Sequence, residues 1–326
     1  MKKFIALLLV VLLTFGAVSA LAAEEEVKII LSCSNTAGKP HTDAVIAATD
    51  RIRERTNGII NIEFHGGNEM ITGAEGIEAV MSDANVMFLT EAGTFSDYYP
   101  AYATLCAPFL TSSYEQVEAL LATDTWKQME QEAADAGVYS VTNALVLGPR
   151  NILSKEAVRG VADLSKLTLR VPDNTLYINI FKALGTNYMA LGGGEIVSAM
   201  QTGMINGMEG TAVSVATYVQ TLGTPCYYTL DAHLMNIVGI HCGTGFWNSL
   251  KPEYQAIIKE EIGKAAYDSN RIYAANLEGD LANLQALGCE VIELSAEEKA
   301  AFAALTAPVC EALPRFAELK AIVDGL

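Results

Sequence analysis

Leu167-Thr168-Leu169-Arg170-Val171-Pro172 decides how this chain is read. Apolar side chains at 167, 169 and 171 follow the period of two that marks a strand, and Pro172 closes it. Arg170 therefore stands at the carboxyl end of a buried strand, which is where open α/β sheets bind their ligands. Downstream come a helical pattern over 175–184, a strand over 188–191, a Gly192-Gly193-Gly194-Glu195 turn, a helix over 195–202 and a strand over 205–209. Short strands alternating with helices specify a largely parallel sheet with helices on its faces, an α/β architecture.

The same alternation runs through the upstream half. Val27, Ile29 and Leu31 share one face of a strand, a Gly38-Lys39-Pro40 turn leads into a helix over 41–55, and Thr56-Asn57-Gly58 stops it. A strand over 59–64, a short helix over 74–81 and a strand over 86–89 follow, the last running into Thr90-Glu91-Ala92-Gly93. Two helices over 113–122 and 125–136 precede the apolar run 138–147, which ends in Gly148-Pro149-Arg150 and is read as the crossing into a second lobe. The run 234–240 carries the chain back. Residues 252–286 form a helical pattern with no proline after the first turn, longer than one lobe needs and long enough to span both. Ser295-Ala296-Glu297-Glu298 is a capping box opening a final helix. The expected division is lobe 1 at 23–147 plus about 236–275, and lobe 2 at 148–235 plus about 276–326.

Composition limits the function. The 326 residues are 51% hydrophobic, which excludes disorder, and 21 basic against 38 acidic residues exclude a phosphate-neutralising nucleic-acid binder. Residues 1–22 read as a cleaved signal peptide: Lys2 and Lys3, an apolar stretch from Phe4 to Val18, then the small-x-small site Ala20-Leu21-Ala22 before Glu24-Glu25-Glu26. That implies an exported, periplasmic protein. Its removal takes the net charge from −17 to −19. The six cysteines, Cys33, Cys106, Cys226, Cys242, Cys289 and Cys310, have no C-x-x-C spacing, so no structural zinc site is expected; disulfides are permitted but not required at this length.

Catalytic signals are poor. G-x-S-x-G, H-E-x-x-H, P-loop and helix-opening G-x-G-x-x-G motifs are all missing, so neither a cofactor nor a metal is implied. The three glycines before Glu195 fit a tight turn needing positive φ better than an anion cradle. His233 and His241 share a strand-like run but fit uncoordinated core histidines better than metal ligands. Arg170 carries more information, because its planar guanidinium matches a carboxylate in a way lysine cannot. Arg150 sits beside the same cleft, with an ion pair to an acidic neighbour as the equal alternative.

Several segments resemble the solute-binding receptors of tripartite ATP-independent periplasmic (TRAP) transporters, the C4-dicarboxylate-receptor (DctP) type. They are Leu169-Arg170-Val171-Pro172, Phe181-Lys182-Ala183-Leu184-Gly185, Glu195 through Gly203 and Ile205-Asn206-Gly207-Met208-Glu209, with weaker matches at Ala107-Pro108-Phe109, Gly148-Pro149-Arg150 and Asp231-Ala232-His233. The resemblance covers essentially the whole mature chain. It implies a two-lobe, periplasmic-binding-protein-like fold of type II kind, with hinge strands and a long helix spanning both lobes. It also implies a monomeric, non-catalytic receptor that closes on a small carboxylate and hands it to membrane subunits. Arg170 would then bind the carboxylate and Arg150 make a second contact, with Asn35 and Glu91 from the first lobe and Asp173, Glu209 and His233 from the second. Two departures stand out: Gly210-Thr211 where the family often has Asn-Pro, and Gly193 where it often has a bulky residue. They predict a ligand bulkier than a minimal dicarboxylate, or one held through water. An ABC-type receptor or an exported acid-base enzyme using Glu91, Glu209 or His233 are the competing readings.

Overall fold

The computed structural model describes residues 24–71 and 73–326; the leader expected at 1–22 lies outside them. Strands β1 (Val27–Cys33), β2 (Ile60–His65) and β3 (Val86–Thr90) are parallel, linked by α1 (Pro40–Arg55) and α2 (Gly73–Met81). Helices α3 (Tyr114–Leu121) and α4 (Asp124–Asp135) lead to β4 (Val138–Ser154). The second parallel unit is β5 (Thr168–Val171), α5 (Thr175–Ala183), β6 (Asn187–Ala190), α6 (Ile196–Gln201) and β7 (Gly207–Gly210). Short helices α7 (Ala212–Val215) and α8 (Val219–Leu222) precede β8 (Cys226–Gly243). The chain ends with α9 (Thr244–Ser249), α10 (Pro252–Ala286), β9 (Cys289–Glu293), α11 (Ala296–Glu311) and α12 (Phe316–Asp324).

All nine strands join one sheet in the order β2-β1-β3-β8-β4-β7-β5-β6, with β9 added to β8. The two long strands β4 and β8 run antiparallel through both halves of the molecule. One end of β8 pairs β3 and its other end pairs β9, while the far end of β4 pairs β7. Their register shifts between Val146 and Gly148 and again between Arg150 and Ile152. Gly148 adopts φ 105°, and a side chain there would also meet the Tyr114 hydroxyl at 3.0 Å. The strand expected to stop at Gly148-Pro149-Arg150 therefore bends there and continues to Ser154.

Each half of the sheet is covered on both faces. Ile29, Leu31 and Ile52 pack with Ile258 and Ile262 on one side of the first half, and Phe88, Trp126 and Met129 fill the other. In the second half, Leu169, Tyr177 and Phe181 pack with Phe302, while Leu153, Ile196 and Met208 pack with Leu284. Helix α10 thus supplies Ile258, Ile262 and Tyr273 to the first half and Leu284 to the second, the span its length predicts. Glu261 anchors it to α1 by accepting from Arg51 Nε and Arg55 Nη1, each at 2.6 Å.

Three local expectations change. The Ser295 hydroxyl accepts from the Glu298 amide, but the Glu298 carboxylate lies against Gly160 rather than closing the capping box. Gly193–Glu195 form a 3₁₀ turn, and none of the three glycines has positive φ. The last helical stretch is two helices, α11 and α12, separated after Pro314 by Arg315 in the left-handed region at φ 62°. Leu319 and Val323 of α12 return to the first half's core beside Val117 and Leu120.

Candidate functional site

The bend in β4 places Arg150 where both halves of the sheet meet. Its guanidinium grips Glu209 of β7 side-on, Nε to Oε2 and Nη2 to Oε1, both at 2.5 Å. Glu209 is fully buried and Arg150 nearly so. On the other side, Nη1 lies 3.8 Å from Oε1 of Glu91, which follows β3. The Asn236 amide bridges these two when its nitrogen donates to Glu91 Oε1 and its oxygen accepts from Arg150 Nη1, both at 3.1 Å. Tyr177 of α5 completes this layer: its hydroxyl donates to Glu91 Oε1 at 2.8 Å, and its ring sits 5.0 Å below the Arg150 guanidinium carbon.

Behind Glu209 stands a buried histidine–aspartate pair. His233 Nε2 lies 3.4 Å from Glu209 Oε2, and Nδ1 lies 2.8 Å from Asp231 Oδ2; His233 and Asp231 are both fully buried. The Phe181 ring meets His233 edge-on at 5.5 Å. Ala232 between them has φ 45°, and its amide donates to Asn151 Oδ1 at 2.8 Å.

The titration behaviour follows from this packing. Burial opposes a charge on Glu209, but Arg150 and His233 overcome it and hold the carboxyl down at about 2. Burial likewise opposes the His233 imidazolium, and Asp231 and Glu209 overcome it to bring its pKa up to about 9. For Glu91 burial wins over Arg150 and Tyr177, and the carboxyl is raised above the usual carboxylate range. The packing thus favours the anionic form of Glu209 and the cationic form of His233, which suits an electrostatic scaffold.

Arg170 differs from Arg150 in one respect. On the half-buried end of β5, its Nε donates to the Leu191 carbonyl at 2.9 Å, and no carboxylate of the described residues lies within 4.0 Å of it. It still senses the charges of Glu209 and Arg150, and burial lowers its pKa. Glu91 in turn senses Arg170, so the unpaired guanidinium belongs to the same cluster.

The other expected residues sit elsewhere. Asn35, in the loop after β1, is half-buried and accepts from Lys39 Nζ at 3.2 Å. Asp173 is exposed and has no side-chain hydrogen bond or ion pair among the described residues, so it stands apart from the cluster. The structure adds Asp231, Asn236 and Tyr177, which the sequence reading did not select. Asp231 had a signal, the Asp-x-His spacing ahead of a buried run. Tyr177 had none, since an aromatic on an amphipathic helix reads as core.

Gly193 is open: a Cβ there would have no atom within 4 Å. Gly210 is different, because a Cβ there would meet Ser214 Oγ at 2.7 Å and Val215 Cγ1 at 3.0 Å. Its small size serves the close approach of α7 and opens no space. Among the described residues, no group of three or more His, Cys, Asp or Glu could hold a metal ion, and no helix is long and apolar enough to cross a membrane.

Residues 31–315 match the model of the bacterial extracellular solute-binding protein family 7, DctP. The chain belongs to that family. A solute-binding protein of Roseobacter denitrificans is 22% identical over 237 residues, covering 72% of this chain and 70% of its own. The fold is shared with a TRAP periplasmic solute-binding protein of Desulfovibrio salexigens in complex with diglycerolphosphate, at TM-score 0.86 and 24% identity over 92% of this chain and 97% of that one. It is shared as well with one from Pseudomonas putida F1 with bound D-glucuronate, at TM-score 0.81 and 25% identity over 92% and 97%.

Proposed function

We propose that this DctP-family chain is an exported receptor that binds a small organic acid between two lobes and delivers it to the membrane subunits of a TRAP-type transporter. The observation that carries this reading is Arg170. Arg150 is neutralised by Glu209, whereas Arg170 is a half-buried cation with no carboxylate partner among the described residues, held in place by the Leu191 carbonyl. A partly desolvated guanidinium of this kind gains most from an incoming carboxylate, because the ligand supplies the missing counter-charge in a poorly screened place. D-glucuronate in the Pseudomonas putida relative supports a carboxylate with further polar groups.

In this reading Arg150 acts through Glu209 and Glu91 as a positioning residue, with His233 and Asp231 behind it. Glu91 contacts the ligand from the first lobe; Asn35, in the loop after β1, and Asp173, exposed past the end of β5, would meet it from the periphery of the site. The lobes are residues 23–147 with about 236–275 and 148–235 with about 276–326, and β4 and β8 carry the hinge between them. The receptor is periplasmic after loss of residues 1–22, and it is a monomer without enzymatic activity.

A thermal-shift screen of sugar acids, 2-oxo acids, dicarboxylates and phosphate esters on the purified protein tests this. Saturable stabilisation by a carboxylate that is recovered unchanged is the expected outcome. Consumption of the stabilising compound would mean an enzyme, and stabilisation by phosphate esters alone would overturn the carboxylate assignment.

A further inference from the structure

Cys226 opens β8 and Cys289 opens β9, and the two residues are directly opposite in the parallel register of those strands. Both side chains point to the same face, since both belong to the core around Leu153, Ile196 and Leu284. Adjacent strands lie about 4.8 Å apart, inside the range of Cα separations that a disulfide spans without moving the backbone. The thiols also feel each other directly: the Cys289 pKa is raised by burial and further by hydrogen bonding to Cys226. Cys33, Cys106, Cys242 and Cys310 lie in other core clusters or other elements, and none of them faces a cysteine across a strand pair.

We propose that Cys226 and Cys289 are a disulfide site that closes in an oxidising compartment. The oxidant is a small-molecule or protein disulfide. One cysteine, as thiolate after losing its proton to solvent, attacks a sulfur of that disulfide and expels one thiol. The second cysteine thiolate then attacks the resulting mixed disulfide, forms the Cys226–Cys289 bond and expels the other thiol. Two protein thiols are oxidised and one external disulfide is reduced. Both sulfurs are almost inaccessible in the folded chain, so the exchange takes place while β9 is still docking on β8. β9 is an edge strand whose only partner among the described residues is β8, which makes it the element able to add last.

The bond would tie both ends of the segment containing α9 and α10 to one edge of the second half-sheet. It would also fix the origin of α11 and α12, of which α12 reaches back to the first half. The device is therefore a staple between the long helix and the sheet, independent of the anion site.

The test is refolding of the full mature chain in a buffer of oxidised and reduced glutathione, then denaturation with an alkylating reagent present. Mass spectrometry and peptide mapping read the result. The expected outcome is alkylation at four of the six cysteines and a single linked peptide pair joining 226 to 289. Full alkylation of all six, or a linkage through any other cysteine, would overturn the proposal. The Cys226→Ser and Cys289→Ser variants, prepared the same way, should each show five alkylated cysteines and a lower Tm than the oxidised parent. The wild-type peptide map decides the matter even where a variant fails to fold. Ligand-induced thermal shift in the reduced chain is expected to persist, which keeps this test separate from that of the receptor reading.

Discussion

Arg150 and Glu209 form a side-on, doubly hydrogen-bonded pair at 2.5 Å in which neither partner has more than a trace of solvent contact. Such a pair gives little net stability against an apolar replacement, yet breaking it leaves an uncompensated buried charge. Glu209→Gln should therefore lower unfolding stability by about 3 kcal/mol or more, measured by urea denaturation. A change below about 1 kcal/mol would mean that the guanidinium finds another partner or water.

His233 makes the same cluster sensitive to pH. Its folded-state pKa is raised from 6.5 to about 9, so the folded state holds the proton more tightly than the unfolded chain. The stabilisation is complete below pH 6.5 and is lost as the pH rises through about 9. The wild-type Tm should fall more steeply over that interval than that of His233→Gln. Parallel profiles would show that His233 is not charged in the folded state.

Tyr177 joins the two halves of the site without any ligand, through its hydroxyl on Glu91 at 2.8 Å. Tyr177→Phe keeps the ring under Arg150 and removes only this bond, a loss of about 1 kcal/mol. Because the bond joins the first half of the sheet to the second, small-angle scattering of the ligand-free variant should report a larger radius of gyration than wild type. An identical radius with an unchanged Tm would show that the bond does not favour closure.

The two glycines that depart from the family pattern should behave oppositely. Gly210→Ala forces a methyl against Ser214 Oγ at 2.7 Å and should cost about 1–3 kcal/mol, read as a drop in Tm. Gly193→Ala meets nothing within 4 Å and should leave Tm unchanged. Equal effects would contradict the packing described for α7.

The α/β alternation, the long helix from Pro252 to Ala286 and the place of Arg170 were legible because each rests on a local period with a proline or turn to end it. What was not legible depends on tertiary contacts. Gly148-Pro149 reads as a strand end, but pairing to β8 on one side and β7 beyond carries β4 through a bend. Arg150 read equally as ligand contact or ion pair, because its partner Glu209 lies far along the sequence and is brought opposite only by β7. Tyr177 was invisible as a site residue for the same reason: its hydroxyl acquires a role only when Glu91 arrives from another strand. Asp231 could have been found from its spacing to His233 on the same strand. Asp173 follows Pro172 closely in sequence and yet is exposed, since it lies past the end of β5.

The central claim is that Arg170 is the anchoring cation for a carboxylate ligand. Isothermal titration of Arg170→Ala with whichever organic acid stabilises the wild type tests it most directly, with the Tm of the unliganded variant as the control. Because Arg170 makes only one side-chain hydrogen bond among the described residues, to Leu191, the unliganded Tm should stay near that of wild type while Kd weakens by about 100-fold or more. An unchanged Kd in a folded variant would contradict the account.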